Sequence, residues 1–94
     1  MRKRQYLGQR NLIGGNLRKI RKAKNVSQKE LAAKMQLMNI GIDQQVISRI
    51  ENDKRIVYDY ELIGICKVLG ISIDELAGDI MREIKEKYRH LLNE

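Results

Sequence analysis

The stretch Val26-Ser27-Gln28-Lys29-Glu30-Leu31-Ala32, followed by Ile42-Asp43-Gln44-Gln45-Val46-Ile47-Ser48-Arg49-Ile50-Glu51-Asn52, carries two helix starts of the same kind. A side-chain oxygen at the N-cap satisfies an amide that the helix leaves without a partner, and an apolar residue just before the cap packs on one in the first full turn. At Ser27 the pattern is complete: Ser27 can accept from the amide of Glu30, Glu30 can reach back to Ser27, and Val26 faces Leu31. Asp43 repeats it, with Ile42 placed to meet Ile47 and its own charge favoured by the helix dipole. If Ile47 and Ile50 face the core, Gln44 and Gln45 fall in the first turn and point outward.

Working outward, Ile13, Leu17 and Ile20 give a first helix one apolar stripe, starting at an Asn11 cap or, after Gly14-Gly15, at an Asn16 cap; Asn25 ends it in place of the glycine usual at a left-handed stop. The second helix is predicted over residues 28–38, the third over 44–52 and the fourth over 59–69, with Gly70 as its stop. Ser72 and Glu75 form another capping box, with Ile71 opposite Leu76, and Gly78 is expected to end that fifth helix. Residues 79–94 then read as a further amphipathic helix capped by Asp79, with Ile80, Ile84, Tyr88 and Leu91 on one face. The organisation that follows is a basic arm at 1–10, one domain at 11–78, and a C-terminal helix at 79–94 as a dimerisation element. That last stripe needs either the domain's own core or a second chain as its partner, and the second chain is the expectation.

Apolar residues recur at helical spacing almost throughout and no run alternates for long, so the class is all-α. Ninety-four residues with no Pro, Phe or Trp make one domain whose core must be built from Ile, Leu, Val and Met. The net charge of +7 is unevenly spread: residues 1–24 hold nine basic residues and no acid, 25–55 hold five basic and four acidic, and 56–94 five basic and eight acidic. One end should therefore attract polyanions while the other is left for protein contacts. An anionic membrane fits the basic end less well, because Gly14-Gly15 interrupt the segment and no Trp or Phe anchors it. No run is apolar enough to span a bilayer, and the N-terminus is too basic to be a secretory signal, so a cytoplasmic location is expected.

The order and spacing of Leu17-Arg18-Lys19-Ile20-Arg21, Ser27-Gln28, Leu31-Ala32, Ile47-Ser48-Arg49-Ile50-Glu51-Asn52, Lys54-Arg55, Leu62, Leu69-Gly70 and Asp74-Glu75-Leu76 resemble the phage repressor and Cro-type helix-turn-helix family of bacterial regulators, over roughly residues 16–77. The resemblance implies a five-helix repressor-like domain with an additional C-terminal amphipathic helix, acting as a small transcriptional regulator, a repressor, that places helix 43–52 in the major groove of double-stranded DNA. It implies that Gln44, Gln45, Ser48 and Arg49 meet bases; that Ser27, Gln28, Lys29, Asn52, Lys54 and Arg55 meet the DNA backbone; and that Arg21 and Glu51 pair with each other rather than with DNA. Ile80, Ile84, Tyr88 and Leu91 are the expected dimer contacts, which makes the operator pseudo-palindromic. Two departures stand out: residues 36–42 make a longer connection than the family's tight turn, lengthening the second helix, and Asp53 stands where the family often has Gly.

Other readings remain at this point. Two glutamines can simply solvate an exposed helix. An antitoxin or protein-binding adaptor of the same fold would use the acidic half on a protein partner while still controlling its own operon. An enzyme is not expected: no nucleophile has a plausible base, no Gly pattern cradles phosphate, and no residue cluster calls for a metal or cofactor. Cys66, grouped with Leu62, Ile63 and Leu69, reads as a small buried hydrophobe, and His90 as a solvated or dimer-rim residue on the last helix.

Overall fold

In the computed structural model, residues 6–92 are described; most of the basic arm's charge, Arg2, Lys3 and Arg4, lies outside them. Six helices follow in order: α1 Gly14–Ala23, α2 Gln28–Leu37, α3 Gln44–Glu51, α4 Asp59–Leu69, α5 Ile73–Lys87 and the short α6 Arg89–Leu92. Among the described residues the only β-type pairing is an isolated bridge between Tyr6 and Gln9, closing a turn whose central residues Leu7 and Gly8 both have positive φ.

The helix starts are set locally. Ser27 accepts from the Glu30 amide at 3.0 Å while Glu30 accepts from the Ser27 amide at 3.2 Å. Ser72 and Glu75 do the same at 3.0 and 3.3 Å. Asp43 accepts from Val46 at 2.9 Å. Three helices hand over to loops through left-handed residues, Asn25 (φ 56), Asn39 (φ 60) and Asp53 (φ 57), where a short polar side chain tolerates what glycine usually supplies. Of the two possible caps for α1, Asn11 is the one used: its Oδ1 accepts from the amides of Ile13 and Gly14 at 3.2 and 2.8 Å. Asn16 instead lies within α1 and donates to the Leu76 carbonyl and to Asp79, both at 2.8 Å, tying α1 to α5.

The core is one cluster drawn from five helices: Leu17 of α1, Leu31, Ala32 and Met35 of α2, Ile47 and Ile50 of α3, Ile65, Cys66 and Leu69 of α4, and Leu76 of α5, with Ile42 from the loop. Each fully buried Leu or Ile contributes about 1.5–3 kcal/mol, which is what fixes the angles between short helices of low intrinsic stability. Cys66 is buried here, but Ile63 points outward and the inner face of α4 is Glu61, Gly64, Ile65, Cys66 and Leu69.

Gly78 does not end the fifth helix. α5 runs through it to Lys87, and the break falls at Tyr88, so the C-terminal element begins as a continuation of α5. A glycine inside a helix costs only about 1 kcal/mol relative to alanine, and burial of Leu76 together with the Asn16 bonds to both sides of Gly78 outweighs that.

Candidate nucleic-acid interface

The rotation of α3 is fixed by its apolar side. Ile47 and Ile50 are both 0% exposed, so Gln44 and Gln45 in the first turn and Arg49 in the second face outward, with Ser48 half-buried beside them. The Gln44 and Gln45 carboxamides each carry donor and acceptor at the exposed end of a capped helix, the chemistry needed for a paired hydrogen bond to a base edge. Asn52 closes the helix from its C-terminal end, its Nδ2 turned back to the Ser48 carbonyl at 2.8 Å, and Lys54 is exposed just beyond.

At the start of α2, Ser27 and Lys29 are exposed; the Ser27 oxygen accepts within its own cap, which leaves its proton for an outside acceptor. Gln28 is half-buried and donates to Glu51 at 3.1 Å. It thereby joins the pair that locks α1 onto the end of α3: Arg21 Nε to Glu51 Oε2 at 2.7 Å, and Nη2 to Oε1 at 2.9 Å, with Nη1 donating to the Val26 carbonyl at 2.9 Å. Arg21 is 7% and Glu51 8% exposed. The Arg21 guanidinium is held above its ordinary value, chiefly by the hydrogen bonds to Glu51, against the opposing effect of burial. The pair fixes the position of α3 against α1.

Arg55 has a different partner from the one expected of it. Its guanidinium grips Glu61 through two bonds, Nη1 to Oε1 at 2.7 Å and Nη2 to Oε2 at 2.9 Å, and lies over the Tyr58 ring at 5.5 Å. Glu61 is 1% exposed and also accepts from the Tyr58 amide at 3.0 Å, capping α4. A carboxylate buried that deeply requires a cation, and Arg55 supplies it, holding the loop before α4. One sequence signal pointed there: Glu61 falls at i, i+4, i+8 with Ile65 and Leu69, on the buried stripe.

Three residues meet at this face in a way the sequence reading did not give them: Arg10, placed only in the basic arm, Asn11, read only as a possible cap, and Asp53, noted only as standing in place of glycine. Asp53 Oδ1 accepts from the amides of Arg10 and Asn11 at 2.8 and 3.0 Å. The Asn11 carboxamide, besides capping α1, donates to the carbonyls of Ile50 and Arg55 at 3.0 and 2.9 Å. Gly14 permits this junction, because a Cβ there would sit 2.1 Å from the Ile50 carbonyl oxygen. Residues 10–14 are thus clasped to the C-terminal end of α3, across a sequence distance no local motif spans.

The stripe of Ile80, Ile84, Tyr88 and Leu91 is divided. Ile80, Ile84 and Tyr88 are half-buried; Ile80 and Ile84 line a cleft with Tyr6, Leu7 and Leu12 of the chain's own N-terminal segment, while Leu91 is exposed. The Tyr6 phenol is pushed above its ordinary value by desolvation and by the nearby Tyr88 hydroxyl. On the outer side, Leu12, Ile13, Ala77, Ile80, Met81 and Ile84 form an almost wholly apolar groove, with Met81 63% exposed.

A Helix-turn-helix family model matches residues 17–76. The control protein C.MunI of Mycoplasma sp. is 41% identical over 72 residues, which are 76% of this chain and 90% of that protein. Among solved structures, the restriction-modification controller protein C.AhdI of Aeromonas hydrophila superposes with a TM-score of 0.60 at 30% identity, over 68% of this chain and 86% of that one. The clp gene regulator ClgR of Corynebacterium glutamicum superposes with a TM-score of 0.61 at 26% identity, over 85% of each chain. An outward-facing capped helix with paired amides, a family model over most of the chain, and relatives that are control proteins and gene regulators agree: the chain belongs to the helix-turn-helix family and is a sequence-specific DNA-binding transcriptional regulator.

Proposed function

We propose that the chain is a cytoplasmic repressor that binds a pseudo-palindromic operator as a homodimer, with α3 in the major groove. The observation that carries this reading is the fixed rotation of α3, which turns Gln44, Gln45 and Arg49 outward by sinking Ile47 and Ile50 into the core. Gln44 and Gln45 read bases, favouring adenine through N6 and N7; Ser48 and Arg49 extend the reading by one turn. Ser27, Lys29, Asn52 and Lys54 hold the phosphates on either side, and Gln28, which gives one of its two amide N–H groups to Glu51, offers them the other. Arg55 leaves the set of backbone contacts because Glu61 neutralises it.

The second copy covers the outer groove of α5 around Ile80, Met81 and Ile84, with Met81 the most exposed of them. This end of the molecule carries the acidic excess, which keeps it off DNA. Two-fold pairing there doubles the sequence read. The likeness to control proteins favours control of a restriction-modification gene set over a toxin-neutralising adaptor.

Selection of bound duplexes from a random pool tests the reading: it should return inverted half-sites about one helical turn apart, and Met81→Glu should convert the recovered sites to single half-sites. Recovery of no common sequence would overturn it.

A further inference from the structure

We propose that Arg10, which lies outside the matched family region, is a DNA-phosphate contact fixed in place by the Asp53 clasp; the proposal rests on the reading that α3 faces DNA. Three arginines of the chain are held by hydrogen bonds near the ends of α1 and α3, and their charges have different fates. Arg21 is neutralised by Glu51 and Arg55 by Glu61, each through two bonds to a carboxylate. Arg10 has no such partner among the described residues. Its Nη1 donates to the main-chain carbonyl of Asp53 at 3.2 Å, while one oxygen of the Asp53 carboxylate, Oδ1, accepts from two backbone amides.

Arg10 therefore keeps its positive charge, with its backbone and one end of its guanidinium anchored at the C-terminal end of α3. The next residue, Lys54, is exposed and basic as well. A phosphate reached from there would meet a guanidinium whose side-chain entropy is already partly lost in the free protein, which lowers the cost of binding relative to a freely moving lysine. The remaining N–H groups of Arg10, in the planar geometry that suits phosphate oxygens, supply the contact. The αL aspartate at position 53 then has a reason to replace glycine: its carboxylate builds the clasp that glycine could not.

The test is the salt dependence of binding to a random-sequence duplex, measured by fluorescence anisotropy with the intact chain. Each phosphate neutralised contributes a slope of about −0.9 in log K against log salt, so Arg10→Ala should flatten the slope by about that amount and weaken binding about eightfold near 0.1 M salt. Arg10→Lys should keep most of the slope. A role confined to capping the negative end of α3 would lower the melting temperature and leave the slope unchanged, and that result overturns the proposal. Lys54→Ala is measured alongside: a flattened slope for Lys54→Ala with none for Arg10→Ala removes Arg10 alone, whereas unchanged slopes in both remove this end of α3 from DNA. If Arg10→Ala does not fold, the Arg10 Nε–H resonance of the wild-type chain decides instead, shifting on addition of duplex if the proposal holds and staying fixed if it fails.

Discussion

Removing the Glu51 carboxylate should unfold much of this protein. In Glu51→Ala, the Arg21 guanidinium, 7% exposed, loses both of its bonds to the carboxylate and keeps only the Val26 carbonyl. Gln28 loses its acceptor at the same time. Leaving one member of a buried pair uncompensated costs about 3–5 kcal/mol, and the lost Gln28 bond adds about 0.5–1.5 kcal/mol. Against a total stability of about 5–15 kcal/mol for a domain, that is a large share. The double variant Arg21→Met/Glu51→Leu removes both charges and fills similar volume, and it should recover most of the loss, because apolar replacement of a whole buried pair is often neutral or stabilising. Urea unfolding followed by far-ultraviolet circular dichroism reads both, provided the slope with denaturant stays constant across the variants. A cost below about 1 kcal/mol for Glu51→Ala, the range of an exposed ion pair, would refute the reasoning. So would a double variant as unstable as the single one.

Gly14→Ala should lower stability by about 1–3 kcal/mol or more, because the new Cβ meets the backbone of Ile50 and α1 must withdraw; Gly15→Ala, whose Cβ meets nothing, should raise it by about 0.5–1 kcal/mol, and thermal melts of the two side by side check the contrast. Cys66 has its thiol pushed up by burial and, secondarily, by Glu75. For an acid whose folded pKa is raised, the unfolded chain releases its proton first, so stability falls as pH rises past the unfolded thiol value of about 8.5. Wild type should therefore lose more stability than Cys66→Ala between neutral and alkaline pH, and parallel losses in the two would remove Cys66 as the cause.

The helix starts were legible because each depends on residues within one turn. Ser27 with Glu30, Ser72 with Glu75 and Asp43 with Val46 all bond as their spacing implied. Gly78 misled because a propensity is a local cost, and α5 is held across it by contacts to α1 from sixty residues away in sequence. The pairing of Arg55 with Glu61 was hidden for a related reason: a basic residue after the third helix looks the same whether its charge is open or matched, and only the buried register of α4 separates the cases. Asp53 was noted only as standing where the family often has Gly, since nothing local reveals that its carboxylate holds Arg10 and Asn11. The apolar stripe of Ile80, Ile84 and Tyr88 was visible, but the sequence could not show that the chain's own Tyr6 and Leu12 would lie against it.

The central claim is that the first turn of α3 reads base edges. Its most direct test is the affinity of Gln44→Ala and Gln45→Ala for a selected operator, set against the same variants on random-sequence duplex. The account predicts a loss of about 1–3 kcal/mol on the operator for a residue that makes a paired bond to a base, with little change on random DNA. Equal losses on both duplexes, or none on either, would contradict it.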